Sequence, residues 1–152
     1  MPQFPLIMTF SEVIQLGDST LRVDGDTKVL AEFRDGACFC SAVSAGGIEE
    51  RGADLKEAYR AVRRTVRLVI EDCAHGTNAD VFREAVRAVF SSLDPDAASA
   101  WQSALDAVRQ GSKSPDYGVQ NLPVKSADEI RPVSVTELPD GREMSEQILK
   151  AA

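Results

Sequence analysis

The residue types best suited to chemistry form two pairs, Cys38 with Cys40 and Cys73 with His75. Thiols and imidazole are ligands that zinc prefers, so the two pairs raise the question of a zinc site. Two residues that face the same side of a strand lie about 7 Å apart, at ~3.3 Å per residue, which is too far for neighbouring ligands of one tetrahedral ion. Residues two apart on a helix point to different sides. We therefore expect no metal site, and interpret the cysteines as buried side chains and the histidine as a surface residue.

His75 is the only histidine, so any mechanism with a histidine base must use it. Such a base needs a thiol or hydroxyl within hydrogen-bonding distance, and no spacing in the sequence brings Cys38 or Cys40 to it. A helix-end histidine of this kind is typical of a structural or solvated position. Cysteine–histidine catalysis is therefore not predicted.

Two pairs of carboxylates have local explanations. Asp24 and Asp26 flank Gly25, a pattern typical of a tight turn. Asp94 and Asp96 stand at the predicted start of a helix, where carboxylates accept hydrogen bonds from the first amides. A metal-dependent active site would need several acids that converge from different elements. The sequence thus predicts a protein that is not an enzyme and uses no cofactor.

Five cations recur at helical spacing in a chain that is acidic overall. The 17 Lys+Arg stand against 24 Asp+Glu, a net charge of -7, which argues against a protein held to nucleic acid by phosphate neutralisation. One interpretation is a solvated face with Glu57 and Glu71 as partners, and the other is a docking surface for an acidic protein segment or for RNA. No exposed aromatic residues are interleaved with the cations, so specific single-strand binding is not expected. The candidate partner-binding cations are Lys56, Arg60, Arg63, Arg64 and Arg67.

The composition is that of one globular domain with an appendage. The 152 residues are 43% hydrophobic and 27% charged. No apolar run approaches the ~18 residues that a membrane span needs, and no secretion signal is recognisable at the N-terminus. We expect a cytoplasmic protein with reduced cysteines.

Residues 1–50 alternate apolar and polar side chains between glycine-containing turns, which predicts an antiparallel meander of three or four strands. The turns are predicted at Gly17, Gly25 and Gly36. Residues 37–43 are nearly all apolar, as in a strand covered on at least one face. Residues 7–16 fit either a strand or a short helix.

Three helices are predicted after the strands. The first, over residues 54–74, begins with Asp54 and Glu57 at the spacing of a capping box. The second begins after Asn78, and the third begins with Asp94 as N-cap and a proline at the first helical position. The last two helices are predicted to form a hairpin that buries Trp101. Its expected contacts are Phe82 or Phe90.

Together these patterns predict an α+β fold, in which a small antiparallel sheet is packed by one long helix. The predicted organisation is an αβ core over residues 1–76, a helical hairpin over 77–111, and a linker and tail over 112–152 with one strand at 132–138 and a short helix at 143–151. The predicted core comprises Leu55, Ala58, Val62, Val66, Val69, Val29, Ala31, Phe33 and Phe39. The tail could add a strand to a sheet edge or wrap a partner, so Val133 and Val135 are further candidate partner-binding residues.

Residues 28–72 resemble the core of HicB-type antitoxins. Strands at 29–33 and 37–43 flank a tight turn at 34–36, and a glycine loop at 46–48 follows. The segment 52–58 then opens a helix. Within it Gly52, Leu55, Glu57 and Ala58 fall on the family motif, and Asp54 takes the capping position.

This resemblance implies a partially degraded RNase H-like fold, homodimers or higher oligomers, and the sequestration of a small toxin ribonuclease without catalysis. Such antitoxins often end in a DNA-binding module, but the tail has room for only one short helix, so a ribbon-helix-helix does not fit and DNA binding is not predicted. The alternative is an acidic, dimeric cytoplasmic chaperone or adaptor for secreted or phage proteins. A helix at residues 7–16 would favour that alternative.

Overall fold

The computed structural model describes residues 3–45, 47–110 and 130–139, which form an α+β fold with one five-stranded antiparallel sheet and three helices. The elements are β1 Gln3–Leu16, β2 Ser19–Arg34, β3 Ala37–Ala42, β4 Glu49–Gly52, α1 Leu55–Cys73, α2 Ala79–Ser91, α3 Pro95–Arg109 and β5 Ser134–Leu138. The predicted linker after residue 110 and the predicted helix at 143–151 lie outside the described residues.

The long strand β2 organises the sheet, whose order is β1-β2-β3-β4. One edge of β2 pairs with β1 from Ser19 to Glu32. Residues 29–34 pair with β3 and residues 20–24 pair with β5, so these two strands share the other edge. Four residues of β2, 25–28, therefore lie between the ends of two different partners.

Residues 3–16 form a strand, so the alternative of a helix at 7–16 is wrong. Every second side chain of the first half of β1 enters the main core, as Phe4, Leu6, Met8 and Phe10 do. That period of two buries one face of a strand, whereas a helix would have spread these side chains around its axis.

The turn predicted at Gly25 is also wrong, because Gly25 lies in the middle of β2. A Cβ atom on Gly25 would lie 2.8 Å from the Cα atom of Val133. The glycine thus permits the chain before β5 to cross close to the strand. An Asp-Gly-Asp triplet is typical of a turn, and only the long-range contact shows its other use.

Helix α1 lies over one face of the sheet and forms the larger part of the core with it. Its start is as predicted: the N–H of Glu57 donates to Asp54 Oδ1 at 2.8 Å, and Glu57 Oε2 accepts from the N–H of Ala53 at 3.1 Å. Its buried residues are Leu55, Ala58, Val62, Val66 and Ile70. The prediction of Val69 at the last of these positions is wrong, because the apolar stripe advances by four residues there.

Helices α2 and α3 lie in different parts of the core, so the predicted helical hairpin is wrong. Phe82 and Val86 of α2 join the core beneath α1. Trp101 of α3 packs on the other face of the sheet with Ile7 and Leu30, and its Nε1 donates to the carbonyl of Leu6 at 3.0 Å. The second face has apolar side chains of its own, which α3 covers.

Phe39 does not belong to the main core, contrary to the prediction. Cys38 and Cys40 of β3 are fully buried toward α1, so the side chain between them points to the opposite face. There Phe39 is half-buried, and the guanidinium of Arg34 lies 4.0 Å from its ring centroid. Phe33 packs against the main core from a partly buried position.

Candidate partner-binding surface

The five cations predicted as a docking surface are all exposed on α1, and are called the cation stripe below: Lys56, Arg60, Arg63, Arg64 and Arg67. The opposite face of the helix is buried against the sheet, which fixes the stripe to point away from the core. Leu68, on the same exposed side, is 54% exposed at the end of the stripe. The stripe therefore combines positive charge with one exposed apolar side chain.

Only one cation of the stripe has an acidic partner among the described residues. Arg67 Nε lies 3.2 Å from Glu71 Oε1 and 3.8 Å from Glu12 Oε2. The i,i+4 interpretation thus holds for Arg67 alone. Within the described part of the chain, no carboxylate lies within 4.0 Å of the other four cations.

The stripe lies on the side of α1 that faces β1. Arg67 reaches Glu12 of β1, whereas Thr65 on the other side of the helix donates to Glu50 of β4 at 2.8 Å. Among the described residues, β1 pairs only with β2, so its outer edge has no strand partner. An unpaired strand edge is a template for a further strand. The Arg67–Glu12 pair is the contact that joins the cation stripe to β1.

Val133 and Val135 are not part of that surface. Both are half-buried and pack against the main core, and Val135 lies opposite Val23 in the β2–β5 ladder. The tail does add a strand to a sheet edge, as the sequence allowed, but the edge belongs to its own chain. Their role as partner-binding residues stays a prediction, separate from the cation stripe.

The cysteines and the histidine are not brought together as a catalytic group. Burial raises the pKa of the Cys38 and Cys40 thiols, which lie beneath α1, and burial likewise raises the pKa of Cys73. A thiol with a raised pKa holds less of the nucleophilic thiolate at neutral pH. His75 is exposed beyond the end of α1. In the described residues no three or more His, Cys, Asp or Glu side chains cluster in a way that suits a metal ion.

A pocket that sequence reasoning missed lies on the far edge of β2. Its walls include Asp26 and Lys28 of β2, Arg87 of α2 and Arg131 before β5. The Asp-Gly-Asp pattern predicts a turn at Asp26, and no sequence pattern distinguishes Arg87 or Arg131. No local signal could have found this group, because it is assembled from segments up to 105 residues apart.

Comparisons with protein-family models, with curated proteins and with solved structures found no match. None of the helices among the described residues is long and apolar enough to cross a membrane.

Proposed function

We propose that this protein is a non-catalytic, cytoplasmic partner-binding protein, resembling an antitoxin that sequesters a toxin protein. The observation that carries the proposal is the cation stripe, in which four exposed side chains have no acidic partner among the described residues. In a chain of net charge -7, a surface whose cations have few acidic partners among the described residues is a local exception. Complementary charge steers association and excludes wrong partners.

A protein partner fits this surface better than a single-stranded RNA. Exposed aromatic rings, which would stack on bases, are absent from the stripe, and Leu68 supplies an apolar contact instead. The adjacent free edge of β1 offers backbone hydrogen bonds to an extended segment. An extended acidic segment that pairs with β1 would bring alternate side chains beneath the cations of α1.

The chaperone alternative has lost the feature that would have favoured it, since residues 3–16 form a strand. The proposal includes a homodimer or higher oligomer, as in the antitoxins that the chain resembles. The free edge of β1 is also suited to a second copy, and native mass distinguishes that occupant from a different protein.

The test compares two variants with the same change of charge. Arg60→Glu with Arg64→Glu reverses two unpaired cations of the stripe. Arg51→Glu with Arg109→Glu reverses two exposed cations on β4 and α3, outside both the stripe and the pocket lining. Each tagged protein is purified from its own host, and native mass spectrometry reports the oligomer and any bound protein together.

We expect the wild type and the control to carry the same protein partner in a defined stoichiometry, and the stripe variant to lose it. Both variants should keep the circular dichroism spectrum and the unfolding midpoint of the wild type. Partner binding that survives reversal of the stripe contradicts the proposal. Release of nucleic acid, in place of a protein, on reversal of the stripe also contradicts it.

A further inference from the structure

The far edge of β2 is interrupted where its pairing changes from β5 to β3. β5 ends its pairing at Asp24 and β3 begins at Val29. Beyond β3, the N–H of Val43 still donates to the carbonyl of Lys28 at 2.9 Å, and the chain then turns toward α2, where the N–H of Ala45 donates to the carbonyl of Val89 at 3.2 Å. The segment that precedes β5 meets the strand at Asp26, whose N–H donates to the carbonyl of Arg131 at 3.1 Å, and at Gly25, which Val133 crosses closely. The two partners therefore diverge and leave space between them.

This space is a cavity of about 430 Å³. Pockets that bind small molecules typically have volumes of ~300–1,000 Å³ and combine apolar walls with a few polar groups. The cavity is open to solvent and is bounded by α2, by the start of α3 and by the segment before β5. Its apolar walls are Val43, Phe90, Leu93, Ala98, Ile130, Pro132 and Val133.

The carboxylate of Asp26, on the floor of the cavity, already has hydrogen-bond and ion-pair partners within the protein. Its side chain is fully buried and accepts from the Thr9 hydroxyl at 2.7 Å and from the N–H of Arg131 at 2.9 Å. Burial raises the pKa of this carboxyl, but these hydrogen bonds and the Arg131 guanidinium outweigh it, so the pKa lies below its ordinary value. The floor is thus a fixed negative charge that is paired with Arg131.

Two other cations line the same cavity without an acidic partner. Neither Lys28 nor Arg87 lies within 4.0 Å of a carboxylate among the described residues. The Lys28 ammonium is held 4.6 Å from the centroid of the Trp101 ring, which fixes its position without neutralising its charge. That ring is not part of the lining, so Arg87 is the cation that we assign to an anion in the cavity.

A hydroxyl donor is also available in the wall. Thr27 and Ser44 are buried and hydrogen-bonded to each other, with their oxygens 2.8 Å apart. One hydroxyl proton makes that bond, and the other has no acceptor among the described residues. Both residues line the cavity, so the second proton can be donated to a ligand.

We propose that this pocket binds a small organic carboxylate, with the carboxylate at Arg87 and the Thr27–Ser44 hydroxyls and an apolar body against Phe90 and Val43. A monoanion fits better than a phosphate dianion, because the Asp26 carboxylate lies on the same floor. The site is independent of the cation stripe, which lies on α1. A ligand bound in the pocket would contact the segment before β5, α2 and α3 at the same time.

The test is titration of the full chain with hexanoate and with benzoate, followed by isothermal calorimetry and by amide chemical shifts. Hexanamide and benzamide are the neutral counterparts, and inorganic phosphate is the anion without an apolar body. Arg87→Gln removes one pocket cation, and Arg83→Gln is the matched control on the same helix, paired with Asp80 at 3.7 Å outside the pocket lining. Ala98→Leu reduces the volume of the cavity without a change of charge.

We expect saturable one-to-one binding of at least one acid, weaker by about tenfold in Arg87→Gln, as for one lost charge-assisted hydrogen bond. Arg83→Gln should bind as the wild type does, and Ala98→Leu should bind more weakly. The proposal is overturned if neither acid saturates at millimolar concentration or if the amides bind as tightly as the acids. It is also overturned if phosphate binds more tightly than both acids, or if Arg87→Gln has no effect.

Discussion

Asp26 and Arg131 are joined by reciprocal hydrogen bonds although they lie 105 residues apart in the chain. The N–H of Asp26 donates to the carbonyl of Arg131, and the N–H of Arg131 donates to the carboxylate of Asp26. The Arg131 guanidinium approaches the same carboxylate at 3.5 Å. This contact fixes the segment before β5 on the middle of β2. It thereby determines both the end of the sheet and one wall of the pocket.

Asp26→Asn should weaken the attachment of β5. The amide oxygen can still accept from the N–H of Arg131 and the amide NH2 can donate to the Thr9 hydroxyl, so the variant chiefly loses the negative charge that pairs with the Arg131 guanidinium. We expect a loss of about 2 kcal/mol in the free energy of unfolding, as for a buried hydrogen bond to a charged group. Hydrogen exchange of the amides in residues 134–138 should accelerate more than exchange in α1. Asp24→Asn, which removes only partly exposed ion pairs, is the control and should cost at most about 1 kcal/mol. Equal effects of the two variants would contradict this role of Asp26.

The pH dependence of stability should carry the signature of Asp26. Its pKa in the folded chain lies below the ordinary value, so the unfolded state takes up a proton first as the pH falls. The stabilisation is therefore complete above about pH 4, near the unfolded pKa. It is lost as the pH falls through the folded pKa. Urea unfolding from neutral pH to about pH 3 should show the wild type converging on Asp26→Asn. A difference that stays constant over this range would argue against an ionised Asp26 in the folded protein.

Two glycines should respond differently to alanine, because each permits a different close approach. A Cβ at Gly25 would meet the backbone of Val133, so Gly25→Ala should displace the segment before β5 and leave the rest folded. A Cβ at Gly52 would overlap the backbone of Ala58 in the first turn of α1, so Gly52→Ala should destabilise the whole domain. Circular dichroism and hydrogen exchange separate local from global loss. The assignment fails if Gly25→Ala unfolds the domain as Gly52→Ala does.

Trp101 should be coupled to the second face of the sheet and not to α2. Trp101→Phe removes the hydrogen bond to Leu6 and leaves that carbonyl without its donor, at a cost of about 2 kcal/mol. A double-mutant cycle with Phe82→Leu should be additive within ~0.5 kcal/mol, because Phe82 lies in the other cluster. A cycle with Leu30→Val should show a larger interaction energy, because Leu30 packs in the same cluster as Trp101. If urea unfolding showed a large interaction energy with Phe82→Leu and additivity with Leu30→Val, the result would support the predicted helical hairpin instead.

Local features of the sequence predicted the elements and their ends. The side chains of Asp54, Asn78 and Asp94 each accept from amides in the first turn of a helix, as their positions before an apolar stripe indicated. The cation stripe was predicted from spacing alone, since helical periodicity fixes which residues share a face. The strand at the end of the chain followed from alternation in residues 132–138.

The arrangement of the elements in space was decided only by the tertiary structure. The apolar stripe of α3 indicates that Trp101 is buried. It does not indicate which face of the sheet Trp101 packs on, because periodicity identifies the buried side of a helix and not its packing partner. The glycine at position 25 is compatible both with a turn and with a strand that another segment crosses closely, so the sequence alone does not distinguish the two. Cooperation between Asp26 and Arg131 depends on strand pairing between distant segments, and no local rule of side-chain period or capping encodes it. The sequence by itself therefore determined the helices, most strands and the exposed cations, whereas the fold decided the two-sided core and the pocket.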